Sequence, residues 1–388
     1  MQELKNNLDK YLTAEEQALG NTLAPLGVGI YDNTSHATAP VNNIKRQLLF
    51  SVITAPSRVA MVREVPLQLG MKTAQRNLLM AQNFSNNGTM EDNASPKDGQ
   101  HERRFAVQLY GDVNQSHTGH FSNKNLGFKA DNAFDAGLGV NYKATDNFMV
   151  GARVDFAESK IKFSANQGDA KINEQAVSLH GVYSFDTPVF IYASGGVGKI
   201  DYKINRDIDL GLATHRETGK TTGTHIFSTL GTGYKFDIAN NASLTPFVAG
   251  HYQSVSMKDY RERSSGGDKT STEMGFSIPN RKSVMAEVGL TLASNFAVKE
   301  NVQLIPSLTV SYLYDWKDPL TTAVKGRNLR DVNYFKVPAY KVQKQNMQIQ
   351  GDISTNINNR YKIGINASAR PTGRVKSWSI GLKSSIQL

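Results

Sequence analysis

The sequence FDAGLGVNY at residues 134–142 places an apolar or alanine side chain at every second position. Glycine, aspartate and asparagine stand between them. An alternation with a period of two residues is typical of a β-strand whose two faces meet different surroundings. The pattern returns at residues 148–156, where Arg153 and Asp155 fall on the polar parity. Because a charged side chain must be hydrated or paired, one face of this sheet is expected to meet water.

The same alternation recurs from residue 103 to the end of the chain. It is clear in residues 105–113, 304–316, 361–367 and 378–388, and about twelve such segments are present. Bacterial outer-membrane barrels have an even number of antiparallel strands, with apolar residues outward and polar residues inward. The sequence therefore predicts an all-β fold, a twelve-stranded antiparallel transmembrane β-barrel.

Hydropathy favours a barrel over membrane-spanning helices. Only 39% of the 388 residues are hydrophobic, and the mean hydropathy is −0.41. A membrane helix needs roughly 18 consecutive apolar residues, and the most apolar segment, Leu48 to Ala55, is much shorter. A barrel escapes this requirement because only alternate residues of each strand face lipid.

The connections between the predicted strands alternate in length. Outer-membrane barrels have short turns on the periplasmic side and longer loops outside, whereas the two ends of a water-soluble sandwich are equivalent. The predicted short links are Ala144–Asn147, Phe185–Pro188, Asp237–Asn241, Ser294–Glu300 and Thr355–Asn359. The predicted long links are Ser116–Asp131, Asn205–Lys220, Arg261–Asn280 and Lys317–Val337. This alternation supports a membrane barrel.

Tyrosine and tryptophan residues lie in or at the ends of the predicted strands. They are Tyr142, Tyr183, Tyr192, Tyr202, Tyr234, Tyr252, Tyr312, Tyr314, Trp316 and Trp378. Such rings favour the two membrane interfaces because they join an apolar ring to a polar edge, although aromatic residues also favour strands in general. We expect these residues to lie at the interfaces.

Composition argues against several other kinds of site. The chain has no cysteine, which removes disulfides, thiolate metal sites and cysteine nucleophiles. The formal charge is +10, but the basic residues are scattered, so nucleic-acid binding is not expected. The eight histidines, including His117 and His120 in a predicted loop, lack the spacing of a zinc site. No cofactor or metal site is predicted.

A helix is predicted in front of the barrel, at residues 67–84. Pro66 suits its first turn, and several apolar residues fall on one face. A helix of about twenty residues spans roughly 30 Å, enough to run the length of a barrel lumen. We expect this helix to lie in the lumen, held by inward-facing charges such as Arg153, Asp155 and Asp352.

In this architecture the chain resembles the translocator end of an autotransporter, whose members end in a twelve-stranded barrel threaded by a helix. A narrower resemblance lies in SVITAPSRVAMVREVPLQLGM, residues 51–71, which is similar to the joint between passenger and barrel in the GDSL-type esterase or lipase autotransporters. That resemblance implies a surface-displayed hydrolase acting on short esters or phospholipids. It divides the chain into a passenger remnant at residues 1–43, a linker with the lumen helix at residues 44–102 and the translocator barrel at residues 103–388.

The resemblance also points to one candidate catalytic residue, His36. The last passenger block of the GDSL-type family carries an Asp-x-x-His-Pro pattern, and this chain has DNTSHA at residues 32–37. His36 matches the base, but Asn33 replaces the aspartate and Ala37 the proline, and asparagine favours the wrong imidazole tautomer. The other interpretation of His36 is an exposed loop histidine. No Gly-Asp-Ser block or Gly-x-Ser-x-Gly elbow supplies a nucleophile, so catalysis is expected to belong to a full-length precursor and not to this chain.

The resemblance predicts a type V secretion translocator that exports and anchors an N-terminal passenger, located in the outer membrane with the passenger side facing the cell surface. Expected partners are outer-membrane lipid and lipopolysaccharide, the barrel-insertion machinery, periplasmic chaperones and the passenger itself, and the barrel is expected to be a monomer. The alternatives are a free-standing porin or channel, whose first hundred residues do not occupy the pore, and a surface adhesin that uses the basic outer loops.

Both ends of the chain bear on this interpretation. The start, MQELKNNLDKY, has no apolar signal core, so either the outer-membrane location is wrong or the chain is the C-terminal part of a longer precursor. The insertion machinery reads a final strand, and here that strand ends in Leu388, where an aromatic residue is usual. We expect either that recognition of this strand is weakened or that this end of the chain has been altered.

Overall fold

A computed structural model describes residues 39–90, 107–121, 127–209, 214–239, 241–264, 272–317, 324–328, 335–336, 344–372 and 375–388. Twelve long antiparallel strands form a barrel, and helices precede it. The strands are β1 (Val107–Phe121), β2 (Gly127–Lys143), β3 (Phe148–Phe163), β4 (Gly168–Ser184), β5 (Val189–Asp209), β6 (Thr214–Tyr234), β7 (Ala242–Val255), β8 (Arg281–Ser294), β9 (Val302–Asp315), β10 (Gln345–Ile357), β11 (Tyr361–Arg370) and β12 (Val375–Gln387). The predicted fold class is confirmed.

The barrel closes because each strand pairs with the next and the first pairs with the last. The β1–β12 ladder holds 13 residue pairs, from Gln108 with Gln387 to His120 with Val375. The β6–β7 ladder holds nine pairs. Two short strands, Phe236–Ala239 and Phe296–Lys299, extend the ladders at the turns before β7 and β9. Closure gives the backbone amides and carbonyls partners inside the protein, as a membrane-spanning sheet requires.

The two parities of each strand face opposite surroundings, as the sequence predicts. On β2, Phe134 and Leu138 are 53% and 67% exposed, whereas Asp135 and Asn141 are 4% and 2% exposed. This is the reverse of a water-soluble protein, in which the apolar face is buried. The outer wall is therefore apolar and the lumen polar.

The barrel has two distinct ends, and the apolar and polar faces of the wall are exchanged toward one of them. The turn end carries short links such as residues 144–147 and 185–188, and the loop end carries the longer connections. One outward row near the middle of β3–β6 is entirely apolar and consists of Val154, Val177, Val197 and Ile226. Closer to the loop end the outward positions become polar, and the inward ones, such as Ile161, Ala170 and Ile204, are apolar and buried. This inversion indicates that the wall leaves the membrane and continues into water.

Two predicted long links are wrong in their bounds. β5 and β6 are each 21 residues long, so most of the predicted link Asn205–Lys220 is strand. The predicted link Ser116–Asp131 likewise contains the end of β1 and the start of β2, and His117 and His120 lie in β1 and not in a loop. The prediction failed because the outward residues of these strands are polar beyond the membrane. The alternation with apolar residues outward therefore ends before the strands do.

A separate four-stranded sheet at the loop end covers the mouth of the barrel. Its strands are Tyr260–Arg261, Met274–Ser277, Lys325–Asn328 and Phe335–Lys336, and we call it the cap sheet. Met274, Phe276 and Val324 are buried against inward residues of the wall and against a helix at Ala39–Glu64 that precedes the barrel. The cap sheet is built from two predicted loops, Arg261–Asn280 and Lys317–Val337.

In the described part of the chain before the barrel there are two helices, α1 (Ala39–Glu64) and α2 (Pro66–Met90). The predicted helix lies within α2, and Pro66 begins it as expected. The sequence did not predict α1, which has Pro56 in its interior. No helix in the described part of the chain is both long enough and apolar enough to cross a bilayer.

The aromatic prediction is correct for most residues and wrong for two. Tyr192 and Tyr202 are 1% and 2% exposed and point into the lumen. Seven of the other predicted residues have exposed side chains on the outside of the barrel, in a group near each end. They are Tyr142, Tyr183 and Tyr234 at the turn end, and Tyr252, Tyr312, Trp316 and Trp378 at the loop end.

Candidate functional site: the helix-filled lumen

Two cations of α2 reach three carboxylates on the inner wall. Nζ of Lys72 forms an ion pair with Asp135. The guanidinium of Arg76 forms an ion pair with Asp135 and lies 2.7 Å from Asp112 and 3.3 Å from Asp155. The three aspartates come from β1, β2 and β3, so one turn of the helix joins three neighbouring strands.

A third cation, Arg153 of β3, completes this cluster from the wall. Its Nε donates to Asp155 at 2.8 Å, and its guanidinium also contacts Asp112. Asn114 donates to Asp112 at 2.6 Å and to Asp135 at 3.0 Å. Three carboxylates thus face three cations. We call these six charged residues the lumen ion cluster.

The lumen ion cluster fixes where the helix sits. Asp135, Arg153 and Asp155 are at most 4% exposed. Removing one member of a buried ion pair costs about 3–5 kcal/mol, because the partner is left uncompensated in a medium of low polarity. A helix shifted by one turn would separate Lys72 and Arg76 from their carboxylates. The cluster therefore selects one register of α2.

A close approach of the helix to the wall occurs at Gly70. A Cβ atom at this position would lie 2.5 Å from Oε1 of Gln253 and 2.9 Å from Cε1 of His225. The imidazole of His225 lies between Glu174, at 2.8 Å from Nδ1, and Gln253, at 3.1 Å from Nε2. Because these wall side chains hold one another in place, only glycine lets α2 approach so closely.

Thr229, His251 and Glu287 form another hydrogen-bonded chain on the inner wall. Nδ1 of His251 lies 3.0 Å from the Thr229 hydroxyl, and Nε2 lies 2.9 Å from the Glu287 carboxylate. A hydroxyl, an imidazole and a carboxylate also form the serine hydrolase triad. Here the three residues are only 6%, 3% and 4% exposed, which keeps substrate from the hydroxyl. Their role is to satisfy polar groups that face the lumen.

Apolar contacts fix the turn-end half of α2. Leu78 and Ala81 are buried against Phe190, Tyr192 and Phe247 of the wall. One helical turn beyond Leu78, the amide of Gln82 donates to the Thr291 hydroxyl at 2.9 Å. This packing explains why Tyr192 points inward and not toward the lipid.

At the loop end, α1 is held by buried charges. The Glu64 carboxylate accepts from Nε of Arg281 at 2.9 Å, and Arg281 also lies 3.0 Å from Asp315. Arg206 of β5 donates to the Ser51 hydroxyl at 2.7 Å and pairs with Glu262 beside the cap sheet. Both helices are therefore bound to the wall at several heights.

The structure places the predicted inward charges on the lumen side of the wall. Arg153 and Asp155 belong to the lumen ion cluster, and Asp155 contacts the helix directly. Asp352 is buried, but it pairs with Lys383 of the wall and not with the helix, so that part of the prediction is wrong. His36 lies outside the described residues. Among the residues that the structure describes, no group of acidic, histidine or cysteine side chains is placed to bind a metal ion.

Sequence reasoning missed Lys72, Arg76, Asp112 and Asp135 as members of the cluster. Two signals were available. Lys72 and Arg76 are four residues apart and so lie on one helix face, and Asp135 stands on the polar parity of its strand. Neither signal reveals that the helix face and the strand meet, because that contact joins residues about 60 positions apart.

The barrel strands match the model of one protein family. The family is described as the autotransporter β-domain, and the match covers residues 107–368, more than half of the chain. The chain belongs to this family. Autotransporter β-domains reside in the bacterial outer membrane and export a passenger to the surface, which confirms the predicted location. The loop end is then the cell-surface end of this β-domain, since periplasmic turns are the short ones.

Two solved autotransporter barrels resemble this β-domain in fold. The translocator domain of the autotransporter NalP from Neisseria meningitidis gives a TM-score of 0.56 at 11% identity, covering 84% of this chain and 100% of that one. The β-domain of the Bordetella autotransporter Brka gives 0.53 at 11% identity, covering 73% of this chain and 100% of that one. Likeness at this identity concerns the fold alone. No curated protein matches the chain in sequence.

Proposed function

We propose that this β-domain exports an N-terminal passenger and then keeps α1 and α2 in the lumen as an anchor and a plug. The observation that carries the proposal is the lumen ion cluster. A pore built to stay open has no use for three buried carboxylates that match cations on an internal helix. The cluster instead suits a chain segment that stops at one defined position.

The geometry of α2 fits the end point of such an export step. Its 25 residues extend for about 37 Å, close to the thickness of a membrane. α1 lies against the cap sheet at the loop end, so a passenger joined before α1 would stand on the cell-surface side. This arrangement supports a plug that also anchors the passenger to the wall.

Conductance distinguishes the plugged translocator from the porin alternative. The full chain and a variant without residues 1–90 are inserted into planar bilayers, and heat-modifiable gel mobility confirms that both barrels are folded. The translocator proposal expects a small, steady current for the full chain and a much larger one for the shortened barrel. Equal, large currents from both would favour a free-standing porin.

Export is tested by the location of the N-terminus in whole cells. An epitope tag placed before Met1 is expected to be cleaved by protease added outside intact cells, while the barrel stays protected. A matched chain with the tag in the turn between β4 and β5, at residues 186–187, keeps its tag until the outer membrane is opened. An N-terminal tag that is protected to the same degree would contradict export.

We further propose that the passenger is a GDSL-type esterase or phospholipase. The support is the resemblance of residues 51–71 to the joint of that family and the match of His36 to its catalytic base. The present chain supplies no nucleophile of that family, so it is expected to leave a chromogenic short-chain ester intact.

A complementation assay tests the passenger proposal. A GDSL-type fragment that carries the serine nucleophile but lacks its own last block is mixed with this chain. Ester hydrolysis that appears only in the mixture and is lost in a His36→Ala variant would support the proposal. A second mixture contains an Asn33→Asp, Ala37→Pro variant, which restores the family pattern around His36. The absence of hydrolysis in both mixtures would leave a translocator whose passenger belongs to another class.

A further inference from the structure

Four lysines stand side by side on the outer wall of β3–β6. Lys160 pairs with Lys171, Lys171 with Lys203, and Lys203 with Lys220 in the backbone ladders. All four are on the outward parity, and none is buried. With neighbouring strands about 4.8 Å apart, they form a line about 14 Å long. We call these four residues the lysine row.

The lysine row lies beyond the apolar part of the wall, on the side of the loop end. The all-apolar row that contains Val154 comes first, and the next row toward the loop end runs from Phe156 to Thr224. A row with Glu158 and Asp201 follows, and the lysine row comes after it. Four residues separate Phe156 from Lys160, which is about 13 Å along the strand and about 10 Å along the membrane normal for a strand tilted near 40°. Because the row runs across tilted strands, its two ends differ in height by about 9 Å, and the row therefore crosses the headgroup zone of the outer leaflet obliquely.

The positive charge of the lysine row is only partly balanced inside the protein. Glu158 contacts Lys171 at 2.7 Å and Lys160 at 3.3 Å. The other carboxylates nearby are otherwise engaged, Asp201 at 3.9 Å from Lys199 and Asp169 at 3.3 Å from Arg216. In the described part of the chain, Lys203 and Lys220 form no salt bridge with a carboxylate. One carboxylate thus serves four ammonium groups.

Such an arrangement is unfavourable without an external anion. Like charges directly opposite each other destabilise a pair of strands, and here three successive ladders carry such a pair in one row across the strands. Inward of the row the wall is apolar, with Ile161, Ala170, Tyr202 and Ile204 buried, so the lumen supplies no counter-charge. A ligand with several anionic groups in one plane would offset the repulsion.

We infer that the lysine row binds the phosphate groups of lipopolysaccharide headgroups in the outer leaflet. Lysine ammonium groups are strong point-charge partners for phosphate, and the line of four suits headgroups that present several phosphates within about 14 Å. The bound lipid would lie against the β3–β6 side of the barrel, with its acyl chains on the apolar rows below. These lysines are distinct from the basic residues of the cap sheet, such as Arg261 and Lys325.

Binding is measured with the full chain folded in a neutral detergent. The probe is purified lipopolysaccharide, added intact or after enzymatic removal of its phosphates, and the readout is the apparent dissociation constant together with co-elution in size-exclusion chromatography. Dextran sulfate serves as a soluble polyanion without lipid. Heat-modifiable mobility verifies that every variant is a closed barrel.

Three variants separate the row from general charge. The row variant carries Lys160→Gln, Lys171→Gln, Lys203→Gln and Lys220→Gln. The charge-matched control carries Lys258→Gln, Lys282→Gln, Lys317→Gln and Lys376→Gln, which remove four exposed lysines from the same end of the barrel outside the row. The third variant replaces the four row lysines with arginine and so retains their charge.

The inference expects the row variant to bind intact lipopolysaccharide at least tenfold more weakly than the wild type, while the other two variants bind within about twofold. Lipopolysaccharide without phosphate is expected to bind the wild type as weakly as the intact form binds the row variant. Equal losses in the row variant and the charge-matched control would overturn the assignment, as would equal binding of the two lipid forms. Binding of dextran sulfate as tight as that of lipopolysaccharide would assign the row to soluble polyanions instead. Each outcome is independent of passenger export, which is scored separately by the surface tag.

Discussion

Nη2 of Arg76 lies 2.7 Å from Oδ2 of Asp112 and also contacts Asp135, so a single side chain of α2 ties the helix to two adjacent strands. The side chain of Asp135 is 5% exposed and that of Asp112 is 10% exposed. Water does not solvate these carboxylates well, and their negative charges are balanced by the cations of the helix and of Arg153. The plug and the wall are therefore electrostatically incomplete without each other.

Replacing Arg76 with methionine is expected to weaken the binding of α2 to the inner wall of the barrel. The change leaves buried carboxylates with one cation fewer, which costs about 3–5 kcal/mol. We expect the full chain to show a larger and noisier current in planar bilayers, and a lower temperature for the heat-modifiable transition.

Two further variants control the Arg76→Met experiment. Arg216→Met removes a pair with Asp207 in which the arginine side chain is 45% exposed, and such surface pairs are worth about 0–1 kcal/mol. Its current is expected to equal that of the wild type. Adding Asp112→Asn to Arg76→Met is expected to recover part of the seal, because it removes the excess negative charge. The remaining pairs are then Lys72 with Asp135 and Arg153 with Asp155. If the current through the Arg76→Met barrel were as small and steady as that of the wild type, ion pairs would not be what holds α2 in position.

Gly70→Ala tests the close contact between the helix and the wall. The new Cβ would lie 2.5 Å from Oε1 of Gln253 and 2.9 Å from His225. Gln253 can retreat only by giving up its hydrogen bond to His225, so overpacking is expected to cost about 1–3 kcal/mol. The measurement is hydrogen exchange of α2 amides, which should become faster. Gly351→Ala is the matched control, because a Cβ there meets no atom within 4 Å. Unchanged hydrogen exchange of α2 in Gly70→Ala would show that the helix is not tightly packed against the wall at this position.

The sequence predicted the barrel well because the alternation of a strand is a local property. Phe134, Leu138 and Val140 are on one parity, and no distant contact is needed to see this. The same rule could have corrected the aromatic prediction. In β5 the outward residues are odd-numbered, as with Ile191 and Val197, so Tyr192 and Tyr202 fall on the lumen side. Strand propensity alone cannot tell the two faces apart.

The parts that the sequence did not predict depend on long-range contacts. Between Ile53 and Val62 every residue of α1 is buried, so its apolar residues show no single stripe, and Pro56 argues against a helix. The cap sheet has strands of only two to four residues, too short for a period to appear. For the lumen ion cluster, the strand alternation predicted that Arg153 and Asp155 face the lumen. It could not predict their partners on α2, because those contacts exist only once the helix lies inside the barrel.

Phe276→Ala tests whether the cap sheet closes the surface end of the barrel. Phe276 is 2% exposed and its ring packs 5.0 Å from that of Tyr260. Truncating a buried phenylalanine costs about 3–5 kcal/mol, and here the loss falls on a small sheet outside the main ladders. We expect faster cleavage between residues 256 and 280 by added protease, with the barrel itself intact. Phe296→Ala, at an exposed site near the turn end, should leave cleavage unchanged, and equal cleavage in all three proteins would show that Phe276 does not hold the cap.

Leu388 is the site of the last prediction, which concerns assembly. Its backbone amide donates to the Val107 carbonyl at 2.8 Å at the seam where β12 meets β1, and its side chain is 51% exposed on the parity of Trp378, Ile380 and Leu382. The turn end lies at a membrane interface, where an aromatic ring is favoured over leucine. Leu388→Phe is therefore expected to speed conversion to the heat-modifiable, folded form in pulse-chase experiments in cells, and Leu388→Asp to slow it. Leu388→Ile keeps the size and polarity of the side chain and should assemble like the wild type. If phenylalanine and aspartate both assembled at the wild-type rate, the side chain at position 388 would have no part in assembly.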